Sequence, residues 1–168
     1  MSKYVELNSN GDYEEVTPIN VSTGVSEASK IIETDASGRI DESFLPTSIG
    51  PEGKNMVASE ALAAGDFVNV WDDAGTPKIR KANATTAGKR ADGFVKAGVA
   101  SGAAGFVYFR GLNDQVSGAV AGLVFLSTTP GGFSATGASD AGNVVQKIGT
   151  AVSATEIAFE PQPICVRV

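Results

Sequence analysis

The sequence predicts an all-β body, a small antiparallel β-barrel or β-sandwich, preceded by an extended N-terminal arm with at most one short helix. Three observations carry that prediction. The apolar set is weighted towards β-branched side chains, 18 Val and 9 Ile against 6 Leu; these are stiff at χ1 and suit a pleated, half-buried surface, whereas helices favour Leu. Beyond residue 55, short apolar runs alternate with Gly-rich turns and no helix-length period intervenes. The charge is also lopsided: residues 1–54 hold 4 basic and 10 acidic side chains, and residues 55–168 hold 9 of each, so the whole net charge of -6 sits in the first third.

That first third has three of the twelve aromatics, Tyr4, Tyr13 and Phe44. Ordering a residue costs about 1.5 kcal/mol of conformational entropy, so a segment this polar needs a partner surface to hold a shape. Its one helix candidate is Ser26–Glu33, about two turns, with Ser22 or Thr23 as cap. Thr34–Ile40 reads as a turn, because Asp35 can bond its own backbone and Gly38 can take a positive φ. Leu45-Pro46 ends whatever precedes it. The domain organisation expected is an acidic anchoring and oligomerisation arm over 1–50, a Gly/Pro linker over 51–54 and a β-rich exposed domain over 55–168.

Within the body, Asp66–Asp72 reads as a strand whose two faces both meet apolar surroundings, since Phe67 and Trp71 share one face and Val68 and Val70 the other. Asp73–Pro77 turns the chain, and Lys78–Ala82 follows as a mostly polar hairpin partner expected at a sheet edge. Further strands are expected over 93–97, 105–110, 123–126, 144–152, 156–160 and 164–168. A small residue and Gly precede three of the apolar runs, at Ala64-Gly65, Ala104-Gly105 and Ala121-Gly122, which reads as a reused tight turn.

Signals for chemistry are few. The chain has no His, which removes the usual Ser-His-Asp and Cys-His arrangements, and one cysteine, Cys165, which excludes an intramolecular disulfide. Cys165 lies in an alternating run without a neighbour to lower its pKa, so a buried structural thiol is expected. Asp72-Asp73 points to opposite faces of a strand and reads as a solvated hairpin end. Asp35–Gly38 and Asp140–Asn143 lack the ligand alternation of a calcium loop and read as Asx turns. Pro130-Gly131-Gly132 lacks the Lys-Ser/Thr of a phosphate loop. Lys78, Arg80, Lys81, Lys89 and Arg90 form the one basic concentration, read as a solvated edge and not a phosphate track. The opening Met1–Glu6 has no apolar signal core, and no run approaches the roughly 20 apolar residues of a membrane span. The expectations are therefore no enzyme, no cofactor, no metal, no nucleic acid and no membrane.

The string Ser29–Pro46 resembles a connector of phage fibre and head proteins, in which a Lys-Ile-x-x-Thr-Asp-Ala-x-Gly-x-Ile-Asp phrase ends in Leu-Pro. Ala61–Val70, Gly93–Val95, Val124–Gly132 and Val145–Ala151 resemble the β-domain of phage capsid decoration and head-fibre proteins. The resemblance implies a virion structural protein, made in the host cytoplasm and added to the outer capsid surface. Its partners would be the major capsid protein and sister chains, as a homotrimer. The arm's large apolar groups, Tyr4, Val5, Leu7, Tyr13, Ile31, Ile32, Phe44 and Leu45, are the candidate capsid anchors, because apolar side chains on a hydrophilic segment need a surface to cover them. The rival expectation is a tail-fibre or receptor-binding part whose β-domain recognises a host surface glycan; a carboxylate hydrolase is a distant third.

Overall fold

The structure is a computed structural model and describes residues 3–45 and 52–167. The chain forms two compact units, Met1–Gly50 and Pro51–Val168. The fold is all-β, and no α-helix occurs among the described residues.

In the first unit, β1 (Tyr4–Leu7) pairs with β2 (Tyr13–Val16) as an antiparallel hairpin. The connecting loop is closed by Asn8, whose side-chain oxygen accepts the N–H groups of Asn10 and Asp12 at 3.0 Å, with Gly11 at φ 84°. The helix expected over 26–33 does not form. A single 3-10 turn, Val25–Glu27, takes its place, and Ser29 sits at a positive φ of 69°. Two turns of helix would have too few backbone bonds to hold without packing, and Ile32 instead makes a parallel bridge to Ile19. The turn at Thr34–Ile40 forms as expected: Asp35 accepts the amides of Ser37 and Arg39 at 2.8 and 2.9 Å, and Gly38 takes φ 73°. A second 3-10 turn covers Glu42–Phe44.

The second unit opens with β3 (Gly53–Ala58), β4 (Phe67–Asp73), β5 (Thr76–Lys81), β6 (Gly93–Val95) and β7 (Ala104–Tyr108), which close into a barrel in the order β3-β5-β4-β6-β7. Two expectations are corrected here. Gly53 and Lys54 are not linker but strand, paired with Tyr108 and Val107. And β5 is not an edge, because β3 pairs with it in parallel on the side away from β4. Its polarity has another source: Ile79 is its one buried residue, while its lysine heads find partners, Lys78 on Asp73 and Lys81 on Asp66.

The rest of the unit is a five-stranded antiparallel sheet of β8 (Gly111–Asn113), β9 (Gly122–Leu126), β10 (Phe133–Ser134), β12 (Lys147–Ser153) and β13 (Glu156–Phe159), in the order β10-β9-β12-β13-β8. A two-residue pair joins β11 (Val144–Val145) to β14 (Cys165–Val166). The two faces of β4 and β6 explain their double apolarity. Val68 and Val95 fill the barrel with Met56, Ala58, Leu62, Ile79, Val99 and Val107. Phe67 and Phe94 point the other way, into a second core with Val124, Leu126, Ile148, Ile157 and Phe159. There the rings of Phe67 and Phe94 lie 5.5 and 5.6 Å from that of Phe159, the tilted and edge-on contacts that aromatic quadrupoles favour.

Among the described residues no buried side-chain nitrogen or oxygen lacks a hydrogen-bond partner. Gln146 behaves as an extra strand residue, accepting the Ala91 amide at 2.8 Å and donating to the Ala91 carbonyl at 2.9 Å. Asn69 donates to Asp92 and accepts from Arg80, both at 2.9 Å.

The recurring small-residue–Gly pattern is not one device. Gly65 and Gly122 take φ values of 90° and 130°, whereas Gly105 is strand, and a Cβ there would stand 2.3 Å from Val99. Cys165 is exposed, against the buried thiol expected. Alternation buries one face of a strand only if another layer covers it, and β14 has a single short neighbour.

Candidate functional site

The described residues offer no cluster of three or more His, Cys, Asp or Glu able to hold a metal ion, and no helix long and apolar enough to cross a membrane. Asp72 and Asp73 divide as geometry requires: Asp72 accepts the Gly75 amide at 3.0 Å and Asp73 pairs with Lys78 at 2.6 Å. Among the basic residues of the body, Arg90 pairs with Asp92 at 2.6 Å and Arg80 lies 4.8 Å over the Trp71 ring, so their charges are engaged within the chain. An open cleft of about 240 Å³ is lined by Ser127, Ser134, Thr136, Ser139, Asp140 and Asn143. It offers hydroxyls and one carboxylate, without a second titratable side chain to exchange a proton with it.

The distinctive surface lies in the first unit. Among residues 3–45 no residue whose exposure is described is buried. The hairpin sorts its side chains by register: Tyr4 opposes Val16, Val5 opposes Glu15, Glu6 opposes Glu14, and Leu7 opposes Tyr13. Opposed residues share a face and successive residues alternate. One face therefore carries Val5, Leu7 and Tyr13, with the Lys3–Glu15 ion pair at its end, and Tyr13 is 82% exposed. The other face brings Tyr4 and Val16 together and sets Glu6 directly across from Glu14. Like charges in that position destabilise a strand pair, and an isolated two-stranded hairpin is marginal to begin with.

The remaining candidate anchors divide. Ile31 and Ile32 are exposed beside the bridge to Ile19, where the Ile19 amide donates to the Ile31 carbonyl at 3.0 Å. Phe44 is half-buried in its 3-10 turn and Leu45, next to it, is exposed. The structure thus brings Val5, Leu7 and Tyr13 onto one face, puts Tyr4 on the opposite one, and leaves the two isoleucines and Phe44-Leu45 as separate patches. Sequence reasoning missed Val21, Val25 and Ile40, all exposed, Val25 to 93%. The signal that found the others, an apolar side chain on an acidic segment, applies to these three equally.

Two turns of the unit are pinned by carboxylates. Glu27 accepts the Thr23 amide at 2.7 Å, and that bond, aided by Lys30, holds its pKa below the usual glutamate range. Asp41 is lowered by its hydrogen bonds from Ser43, whose amide donates at 2.9 Å. Ser43 in turn accepts the Ser22 amide at 2.8 Å, tying the two halves of the unit by polar bonds in place of a core.

No protein-family model, no curated protein and no solved structure matches the chain.

Proposed function

We propose that this chain is a bacteriophage capsid decoration protein, a non-enzymatic virion component whose first unit binds the major capsid protein on the outer surface of the assembled head. One observation carries the reading: residues 3–45 display Val5, Leu7, Tyr13, Val25, Ile31, Ile32, Ile40 and Leu45 to solvent while no residue of known exposure among them is buried. A segment with that much exposed apolar surface and no interior gains its free energy by lying against another protein. Its acidity specifies a basic or mixed patch on the shell, which would also steer the encounter. The body, with both cores in residues 52–167, needs no such help and stands outward. The resemblance of Ser29–Pro46 and of the later strand phrases to phage head proteins supports the same assignment.

The experiment is deletion of residues 1–50. The remaining body is expected to unfold cooperatively like the full chain, yet to fail to co-sediment with expanded phage heads lacking the protein. Heads that still bind the truncated chain would reject the assignment. Because the contact is partly electrostatic, binding by the full chain is expected to weaken as salt is raised through the range where the Debye length falls from about 10 Å to about 3 Å.

A further inference from the structure

The outward side of the five-stranded sheet in the second unit carries an apolar stripe. Leu112 on β8 opposes Ala158 on β13, Ala158 opposes Thr150 on β12, and Thr150 opposes Leu123 on β9. Directly opposed residues point the same way, so four strands contribute one uncharged row. Val152 extends it along β12 and Val120 lies just before β9. Leu123 and Val152 are 55% and 54% exposed, against the fully buried Ile148 and Ile157 of the reverse side. Charges occur only where the row ends along each strand. Lys147 stands opposite the half-buried Phe125, Glu156 and Glu160 lie two residues either side of Ala158, and Arg110 lies two before Leu112.

We propose that this face is the surface through which the bodies of two copies of the chain associate. An uncharged centre inside a rim of both signs is the anatomy of a protein interface. The rim is self-complementary along one axis: Lys147 and Glu160 lie at the same end of the neighbouring strands β12 and β13, so a second copy turned about an axis parallel to and between those strands sets each Lys147 over the other copy's Glu160, as an isologous contact requires. The body carries 9 basic and 9 acidic residues from position 55 onwards, so two copies approach without net repulsion, and an oppositely charged partner gains nothing from it. Face-to-face packing is also the mode the sheet permits. Its edge strands β8 and β10 are three and two residues long, too short to template strand addition. The pairing of bodies is independent of what the arm grips.

Sedimentation of the full chain over a concentration series tests it, with head binding read on the same samples. The wild type is expected to associate, and Leu123→Glu and Val152→Glu each to raise the dissociation constant about 100-fold, the size of a central interface contact, with an unchanged thermal melt. Thr150→Arg, at a site already exposed, gives the same readout should either variant melt early. Thr86→Glu, in the exposed loop between β5 and β6, is expected to leave both association and head binding intact. A wild type that stays monomeric throughout overturns the inference, whether the stripe is then bare or covered by its own arm. So do variants that assemble like wild type but lose head binding, which would assign the face to the shell. Loss of association with head binding by the arm retained supports this inference, and failure of head binding alone bears on the arm.

Discussion

Each unit of this chain contains a hairpin closed by an Asx-type turn, and the two hairpins live under different conditions. In β4–β5, Val68 and Ile79 enter the barrel, Phe67 enters the second core, and cross-strand neighbours Asn69 and Arg80 hydrogen-bond at 2.9 Å. In β1–β2 the central cross-strand pair is Glu6 against Glu14, and the apolar side chains opposite face water. Both are antiparallel pairs, β1–β2 closed by a loop of five residues and β4–β5 by a loop of two. What differs is whether another layer exists to receive the side chains, which is where sheet stability comes from. A hairpin whose central pair repels and whose apolar side chains are exposed draws little stability from its own contacts.

The sharpest way to break this comparison is to remove one aromatic from each hairpin. Phe67→Ala deletes a ring with no solvent exposure, packed against Phe94 and Phe159, and is expected to cost about 3–5 kcal/mol of unfolding free energy. Tyr13→Ala, at 82% exposure, is expected to change global stability by less than about 0.5 kcal/mol. Urea unfolding of the full chain checks both, followed for the body by the fluorescence of Trp71 on β4 and for the arm by the amide signals of residues 4–16 in NMR spectra. A loss of comparable size from Tyr13→Ala would show that the arm has an interior after all.

A second variant tests whether the body's hairpin is set by local backbone preference as well as by its core. Asp73 pairs with Thr76, leaving Ala74 and Gly75 as a two-residue loop with φ values of 52° and 87°. Both central residues of such a loop need positive φ, which Asn tolerates and Ala resists. Ala74→Asn is therefore expected to stabilise the protein by about 1 kcal/mol, seen as a higher urea midpoint at unchanged slope. A neutral or destabilising result would mean that the surrounding strands, and not the loop, fix the turn.

How much of this was legible in the sequence follows the same divide. The strand at 66–72 with two apolar faces, its hairpin return, and the Asp35 turn were readable because each depends on neighbours close in sequence. Barrel closure was not. Gly53 looks like linker, yet a Cβ there would stand 2.3 Å from the Val107 carbonyl oxygen and 2.4 Å from the Phe106 ring, so it is required by the approach of a strand some fifty residues on. For the same reason β5 reads as an edge until β3 is placed beside it, and Cys165 reads as buried until β14 is seen to lack a cover. In the arm the hairpin was signalled by Tyr4–Leu7 and Tyr13–Val16 around an Asn/Gly/Asp cluster; its acidity obscured it. The anchor residues were legible by chemistry, but not which of them share a face, because that is a matter of register.

The smallest expected effect is also the most local, and it distinguishes a unit held by titrating groups from one held by a core. Glu27 and Asp41 have folded-state pKa values below their ordinary 4.5 and 3.8, in the first case through the Thr23 amide and Lys30, in the second through Ser43. A depressed carboxylate contributes stability that is complete above the ordinary value and is lost as the pH falls through the folded one. The turns at Thr23 and Ser43 are thus expected to loosen on acidification below those ordinary values, while the Gln146–Ala91 clamp, which pairs a carboxamide with backbone, has no proton of its own to take up. Amide chemical shifts followed by NMR through that range report each site separately. Thr23 should titrate below 4.5 in the wild type and should lose its pH dependence in Glu27→Gln. A Thr23 amide that titrates at or above the ordinary glutamate value would mean that its bond to Glu27 is not held in solution, and that the first unit has still less structure of its own than its polar ties suggest.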